Sequence, residues 1–140
     1  MEDERYKRGW ELIQAIHNTV ADKTVGGVAE VAPALGEMIV SFAYGDVMAR
    51  PGLDVKTRQI CIVAMLAAMG GHTAPELKAH IRGALRVGWT KDEIAEVLIQ
   101  TAVYAGFPAA INAVEVAKAV YAAWDDEQAV ANAATEGDVS

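Results

Sequence analysis

The chain has 140 residues, of which 53% are apolar and only 6% are aromatic, and its formal net charge at pH 7 is −7. That length fits one domain, and the acidic balance argues against nucleic acid or an anionic membrane as partner, because both bind basic surfaces. Glycines and a histidine at 70–72 interrupt the longest apolar stretch, and the amino terminus lacks the apolar core of a signal peptide. We therefore expect a cytoplasmic protein without a membrane segment.

Apolar residues recur at spacings of three and four, and no segment alternates with a period of two, so the sequence predicts an all-α fold of about six helices. The first helix is predicted over Asp3–Ala21 and is followed by a loop over Asp22–Gly27. The second helix is predicted over Val28–Asp46. Its true start is expected near Ala32, because Pro33 suits the first turn of a helix.

The third predicted helix begins at Asp54 and is apolar at every position from Ile60 to Met69. A helix without a polar face must be buried on all sides, either at the centre of the domain or between subunits. Because soluble monomers avoid exposing large apolar patches, we expect a homo-oligomer. Cys61 lies within this run and is predicted to be a buried, unreactive cysteine, since a redox cysteine needs exposure and a lowered pKa.

Two capping-box patterns mark the next helices. Thr73 to Glu76 predicts the start of a fourth helix, which ends near Gly88. Thr90 to Glu93 predicts a fifth helix over about Lys91–Tyr104. Its predicted inner face comprises Ile94, Val97, Leu98, Thr101 and Ala102.

The sixth helix is predicted to begin at Pro108 and to end at about Asp126. Its expected apolar positions are Ile111, Val114, Ala117, Val120, Tyr121 and Trp124. The domain is thus expected to span 1–127, and residues 128–140 are predicted to form a flexible tail, because they show no usable helical period.

His80 is the strongest candidate for chemistry, because it lies on the apolar side of the fourth helix. Glu76 precedes it by four residues, within reach of a hydrogen bond that would fix the imidazole tautomer and raise its pKa toward that of a general acid. A satisfied core histidine is the alternative and is the commoner case. His72 lies before the predicted cap and off that helix face, so no metal site is predicted.

Two arginines flank the turn before the third helix. The planar fork of Arg58 suits a carboxylate, and Arg50 is the second candidate, although a structural ion pair is an equally common use of such arginines. Tyr44 and Tyr104 stand at the ends of apolar stretches, where a hydroxyl either donates to a substrate oxyanion or reaches water.

Three motifs occur in order along the chain: GDVMARPGLD at 45–54, ELKAHIRGALRVGWTKDEI at 76–94 and YAGFPAA at 104–110. Together they resemble the γ-carboxymuconolactone decarboxylase family over about Trp10 to Trp124. The resemblance implies an all-helical subunit that assembles into trimeric or hexameric rings. It also implies decarboxylation of a carboxy-lactone in the catabolism of aromatic compounds or a related pathway.

One branch of this superfamily, similar to alkyl hydroperoxidase D, uses a Cys-x-x-Cys just before the fourth-helix histidine. This chain has Thr73 and Glu76 there, and Gln59 where that branch has a glutamate, so a peroxide or disulfide reductase is disfavoured. The decarboxylase branch lacks those cysteines and keeps the histidine. This chain departs from its best-matching members at Met48 and Phe107, where tryptophans are expected.

The resemblance implies that the unsaturated lactone itself takes up the electrons as an enolate, so no cofactor is expected. An arginine would hold a carboxylate, a tyrosine would face the enolate oxygen and the histidine would supply the proton. The predicted catalytic residues are His80, Glu76 and Tyr104, and the predicted substrate-binding residues are Arg50, Arg58 and Tyr44. The alternative function is a non-catalytic, ligand-binding helical oligomer on the same scaffold.

Overall fold

The computed structural model describes residues 3–18 and 20–137, and every regular element in this part is helical, which confirms the all-α prediction. The elements are α1 (Glu4–His17), α2 (Val20–Val31), α3 (Pro33–Met38), a π-helix (Ile39–Met48), α4 (Val55–Met69), a 3₁₀ turn (Gly71–Thr73), α5 (Ala74–Arg86), α6 (Lys91–Ala105) and α7 (Phe107–Gly137). None of the described helices combines the length and the apolar character needed to cross a membrane.

The contacts divide the chain into two compact units. Unit 1 comprises the chain up to Ile62 together with Gly83–Trp89, and unit 2 comprises Val63–Arg82 together with the chain from Thr90 onward. Helices α4 and α5 therefore contribute residues to both units.

Unit 1 is organised around a close contact between α1 and the π-helix. A Cβ atom on Gly9 would lie 2.0 Å from the carbonyl oxygen of Val40, and one on Gly45 would lie 2.2 Å from that of Arg5. Only glycine permits backbones to approach so closely. The adjoining core is formed by Ile13, Val25 and Val40, with Tyr6, Trp10, Ile39 and Tyr44 packed against it.

The second predicted helix is divided in the structure. Pro33 is the first residue of α3, as its missing N–H and fixed φ favour. From Ile39 the backbone follows a π-helix, which ends with a hydrogen bond of 3.1 Å from the Ala49 N–H to the Tyr44 carbonyl. Such π-helical segments are rare and often occur near functional sites.

The loop predicted over Asp22–Gly27 is wrong, because α2 continues through Gly26 and Gly27 without a break. Val25 lies beside these glycines and is buried in the unit 1 core together with Ile13. Tertiary packing therefore outweighs the low helix propensity of two glycines, which costs about 1 kcal/mol each.

Helix α4 begins and ends where the sequence predicts, but the chain does not bury it on all sides. Gln59, Val63 and Ala67 form a buried stripe with the spacing of successive turns. Cys61 and Met65 are exposed, so the prediction of a buried cysteine is wrong for the single chain. Other residues of the same chain pack against only one stripe of this apolar helix. The remaining faces, including the one that carries Cys61, are exposed to solvent in the single chain.

The cap predicted at Thr73 is also wrong. Its hydroxyl donates backward to the carbonyl of Leu66 at 2.7 Å, and the residue ends the 3₁₀ turn that precedes α5. The cap predicted at Thr90 is confirmed, because its hydroxyl accepts from the Glu93 N–H at 3.1 Å and the Glu93 carboxylate accepts from the Thr90 N–H at 2.9 Å.

Unit 2 is built on the packing of α6 against α7. The predicted inner face of α6 is confirmed at Ile94, Leu98 and Thr101, all of which are buried. On α7, the predicted positions Ala117 and Val120 are buried, whereas Ile111 and Val114 are exposed. Alanines replace them in the core, since small side chains allow the helices to approach closely; the buried residues of α7 are Ala110, Ala113, Ala117 and Val120.

The helix end predicted at Asp126 is wrong, because α7 continues to Gly137. The extra turns are rich in alanine and contain no glycine or proline before Gly137, so helix propensity sustains them without a buried face. Their side chains from 127 to 136 are exposed. Residues 138–140 of the predicted tail lie outside the described part.

Candidate functional site

A cleft of about 600 Å³ opens on unit 1 between one face of α1 and the segment from Met48 to Val55. It is a shallow groove that is largely open to solvent, and its lining residue Leu53 is exposed. The charged residues that line it are Arg8, Glu11, Arg50 and Asp54, and the apolar ones include Leu12, Ala15, Met48, Leu53 and Val55. The cleft therefore combines an apolar surface with two cations and two carboxylates, and the arginines are the groups that suit a small organic acid.

Arg58 supports the turn that carries Arg50. Its Nη2 donates to the Arg50 carbonyl at 3.1 Å and its Nε donates to the Leu53 carbonyl at 3.2 Å. Two edges of the guanidinium thus hold the backbone. Asp54 is engaged as well, because its Oδ1 accepts from the Thr57 N–H at 2.6 Å, and this hydrogen bond holds the pKa of the Asp54 carboxyl below its ordinary value.

The α1 side of the cleft contributes Arg8, which sequence reasoning missed. Its Nε donates to the Gly45 carbonyl at 2.8 Å, across the glycine contact described above. The missed signal was its spacing, because Arg8, Leu12 and Ala15 fall on one helical face.

Tyr44 contacts a histidine rather than the arginines. Its hydroxyl oxygen lies 2.8 Å from His17 Nε2, and the two rings meet edge to face. Burial raises the pKa of Tyr44 to about 12, so the phenol stays neutral at physiological pH. His17, which ends α1, is itself buried.

A third polar side chain, Gln59, lies in the same region of unit 1. It is completely buried, and a Cβ atom on Gly83 would lie 2.6 Å from its Nε2 and 3.1 Å from His17 Cε1. Gly83 thus makes room for both side chains. Sequence reasoning noted Gln59 only as a replacement for glutamate and did not connect it with His17.

The buried phenol predicts a loss of stability at alkaline pH. Tyr44 has a folded-state pKa of about 12 against an ordinary value near 10, so its contribution is complete below about pH 10 and falls as pH rises toward 12. We expect wild type to lose roughly 2 kcal/mol more than Tyr44→Phe across that window. Urea unfolding at pH 9 to 12 measures this, and the exposed Tyr104→Phe variant serves as control. Equal losses in wild type and Tyr44→Phe would contradict the assignment.

Unit 2 carries the other predicted residues. His80 is half-buried on α5, and Leu77 and Ile81 beside it are fully buried, as the helical pattern predicts. Glu76 lies one turn earlier with an exposed side chain. Tyr104, near the end of α6, is 87% exposed.

A smaller cavity of about 140 Å³ lies in unit 2 beside the 3₁₀ turn. Alanines, glycines and Leu77 form most of its wall, and Asn112 supplies an amide. His80 is not among its lining residues. Within residues 3–18 and 20–137, no group of three or more histidine, cysteine, aspartate or glutamate side chains is placed to hold a metal ion.

The six predicted residues are therefore divided equally. Unit 1 holds Tyr44, Arg50 and Arg58, and unit 2 holds Glu76, His80 and Tyr104. Within unit 1, Arg58 contacts Arg50, whereas Tyr44 pairs with His17.

The model of the carboxymuconolactone decarboxylase family matches residues 33–119, more than half of the chain. The chain belongs to this family. The motif resemblance is thereby confirmed. The match contains all six predicted site residues, whereas α1, with Arg8 and His17, precedes it.

Curated relatives agree with this membership. The chain is 31% identical over 121 residues to the 4-carboxymuconolactone decarboxylase of Acinetobacter baylyi, covering 86% of this chain and 89% of that protein. It is 31% identical over 119 residues to an "Uncharacterized 15.0 kDa protein in nqo9-nqo10 intergenic region" of Paracoccus denitrificans, covering 85% and 89%. It is 40% identical over 77 residues to the nitrosuccinic acid decarboxylase npaB of Metarhizium robertsii, covering 55% and 52%.

Proposed function

We propose that this chain is a cofactor-independent decarboxylase of a small carboxy-lactone of the carboxymuconolactone type, acting in the breakdown of aromatic compounds or a related pathway. The observation that carries the proposal is the unit 1 cleft, which is lined by Arg50 from the family's motif turn. The two relatives named as decarboxylases support the reaction class.

The substrate supplies most of the chemistry. When the bond to the departing carboxylate breaks, carbon dioxide leaves and the electron pair passes into the unsaturated lactone as an enolate. A proton then adds to carbon and neutralises the enolate, so the product lactone keeps only the carboxylate that stays on the substrate. The protein must hold the anion, stabilise the enolate oxygen and deliver that proton.

Arg50 is proposed to hold a carboxylate that stays on the substrate. Its backbone is fixed by Arg58, so Arg58 acts as a positioning residue. The apolar lining of the cleft, including Met48 and Leu53, would disfavour the charged departing carboxylate and favour neutral carbon dioxide.

His80 is proposed as the proton donor, oriented by Glu76 from the preceding turn of α5. Tyr104 or Tyr44 is proposed to donate to the enolate oxygen. Tyr44 can do so only while His17 Nε2 donates to the Tyr44 oxygen, because the phenol has a single proton.

We further propose that the protein is a homo-oligomer, a trimer or a hexamer. Apolar side chains on α6 and α7 of unit 2 are exposed in the single chain: Ile99, Val103, Tyr104, Phe107, Ile111 and Val114. Monomers rarely expose so much apolar surface on neighbouring helices. Sedimentation should give three or six times 14.9 kDa, and Ile111→Glu should reduce that mass. A wild-type monomer at micromolar concentration would contradict the proposal.

The reaction is tested by incubating purified, EDTA-dialysed protein with 4-carboxymuconolactone or nitrosuccinate and measuring carbon dioxide. Release from 4-carboxymuconolactone well above the rate without protein supports the proposal, whereas release from nitrosuccinate alone would support only the reaction class. Thermal stabilisation by these acids without turnover would instead identify a ligand-binding oligomer. Peroxide reduction abolished by Cys61→Ser would identify a thiol enzyme, and either outcome would refute the decarboxylase.

A further inference from the structure

We propose that Arg8 of α1 is a second carboxylate-binding residue of the unit 1 cleft, and that it selects acids with two negative groups over acids with one. The inference rests on the proposed function, since it names the class of ligand for the same cleft. Arg8 precedes the family-matched residues 33–119, so the family match itself assigns it no role.

The position of Arg8 is fixed before any ligand binds. Its Nε donates to the Gly45 carbonyl at 2.8 Å, and Gly9, the next residue on α1, brings the two backbones into contact. One edge of the guanidinium is thereby held, while its terminal nitrogens keep N–H groups for an acceptor. A pre-oriented arginine loses less side-chain entropy on binding a carboxylate than a mobile one does.

Arg8 shares the carboxylate of Asp46 with Arg5, and Arg5 makes the closer contact. Asp46 is bound by Arg5, whose Nε lies 3.0 Å from both carboxylate oxygens and whose Nη2 lies 2.6 Å from Oδ2. Arg8 Nη2 lies 3.6 Å from Asp46 Oδ1, which is within ion-pair distance but longer than a hydrogen bond. The Arg5 hydrogen bonds also lower the pKa of Asp46. Without Arg5, the Asp46 charge would be free to bind Arg8 more closely.

The remaining charged residues of the cleft are one cation and two carboxylates. Arg50 supplies the second cation, and Asp54 is engaged at the start of α4 by the Thr57 N–H. Glu11 lies one turn after Arg8 and opposes an anionic ligand. Glu11→Gln is therefore expected to tighten dianion binding a few-fold.

Two saturated lactones serve as unreactive probes, because they lack the double bond that accepts the electrons. The dianion is 2-carboxy-5-oxotetrahydrofuran-2-acetate and the monoanion is 5-oxotetrahydrofuran-2-acetate. Isothermal titration at low salt with Arg8→Gln should show dianion binding weakened about tenfold to a hundredfold, with monoanion binding changed much less. Lys7→Gln removes a charge from the same helix outside the cleft and should bind as wild type.

A second pair of variants separates binding from structure. Arg5→Gln and Asp46→Asn both break the same ion pair, but only Arg5→Gln leaves a charged Asp46 to compete for Arg8. Arg5→Gln should weaken dianion binding, and Asp46→Asn should not. Equal weakening in the two variants, or wild-type dianion binding by Arg8→Gln, would overturn the inference.

Carbon dioxide release, measured separately, distinguishes the two proposals. Arg8-dependent binding of the dianion without turnover of 4-carboxymuconolactone would refute the decarboxylase and support this site. Turnover by Arg8→Gln with wild-type kcat and KM would support the decarboxylase and overturn the role of Arg8.

Discussion

His80→Gln should lower kcat for decarboxylation about a hundredfold, which is the usual effect of removing a general acid. Glutamine approximates the size of the imidazole and keeps a hydrogen-bond donor, but it cannot transfer a proton near neutral pH. Because the histidine is proposed to act on the enolate rather than to hold the substrate, KM should change little. Steady-state kinetics on folded, oligomeric protein measures both constants.

His72→Gln is the matched control, because His72 is an exposed histidine of the 3₁₀ turn and has no proposed role. It should retain wild-type kcat. If His80→Gln decarboxylates at the wild-type rate, the proton must come from another group, and His80 would be a core histidine.

Gly45→Ala should destabilise the fold by about 3 kcal/mol or more, the largest stability effect we expect. The added Cβ atom would lie 2.2 Å from the Arg5 carbonyl oxygen, and a backbone atom cannot move aside as a side-chain end can. Helix α1 would have to separate from the π-helix. The change is measured as the loss of unfolding free energy in urea.

The control for this substitution is Gly26→Ala in α2, where an added Cβ atom meets nothing within 4 Å. Alanine favours the helix over glycine, so this variant should gain about 0.5 to 1 kcal/mol. A Gly45→Ala protein as stable as Gly26→Ala would mean that α1 and the π-helix are not in such close contact.

The sequence predicted the elements that have strong local signals. The capping box at Thr90 and the glycines after Met69 mark helix ends by local hydrogen bonding and backbone freedom, and the structure places those ends there. The boundaries it missed depend on distant contacts. Helix α2 passes through Gly26 because a neighbouring valine is held in the core, which no local rule reports.

The sequence analysis did not predict the π-helix. Its wider turn, with hydrogen bonds from residue i to i+5, is hard to distinguish from the α-helical period of 3.6 residues over ten positions. Its consequence for the site is direct. The glycine contact that it makes with α1 places Arg8 beside the motif turn and His17 beside Tyr44. The sequence motifs predicted Arg50 and Arg58. The residues of α1 that lie beside this region, Arg8 and His17, could be recognised only from the tertiary structure.

The most direct measurement of the proposed reaction is turnover of 4-carboxymuconolactone in D₂O by EDTA-dialysed protein, with the product analysed by NMR. We predict one carbon dioxide per substrate consumed, and one deuterium in a single configuration at the carbon that gains the proton, because a fixed acid delivers it to one face. Carbon dioxide loss no faster than without protein, or deuterium on both faces equally, would contradict enzymatic decarboxylation with proton delivery by the protein.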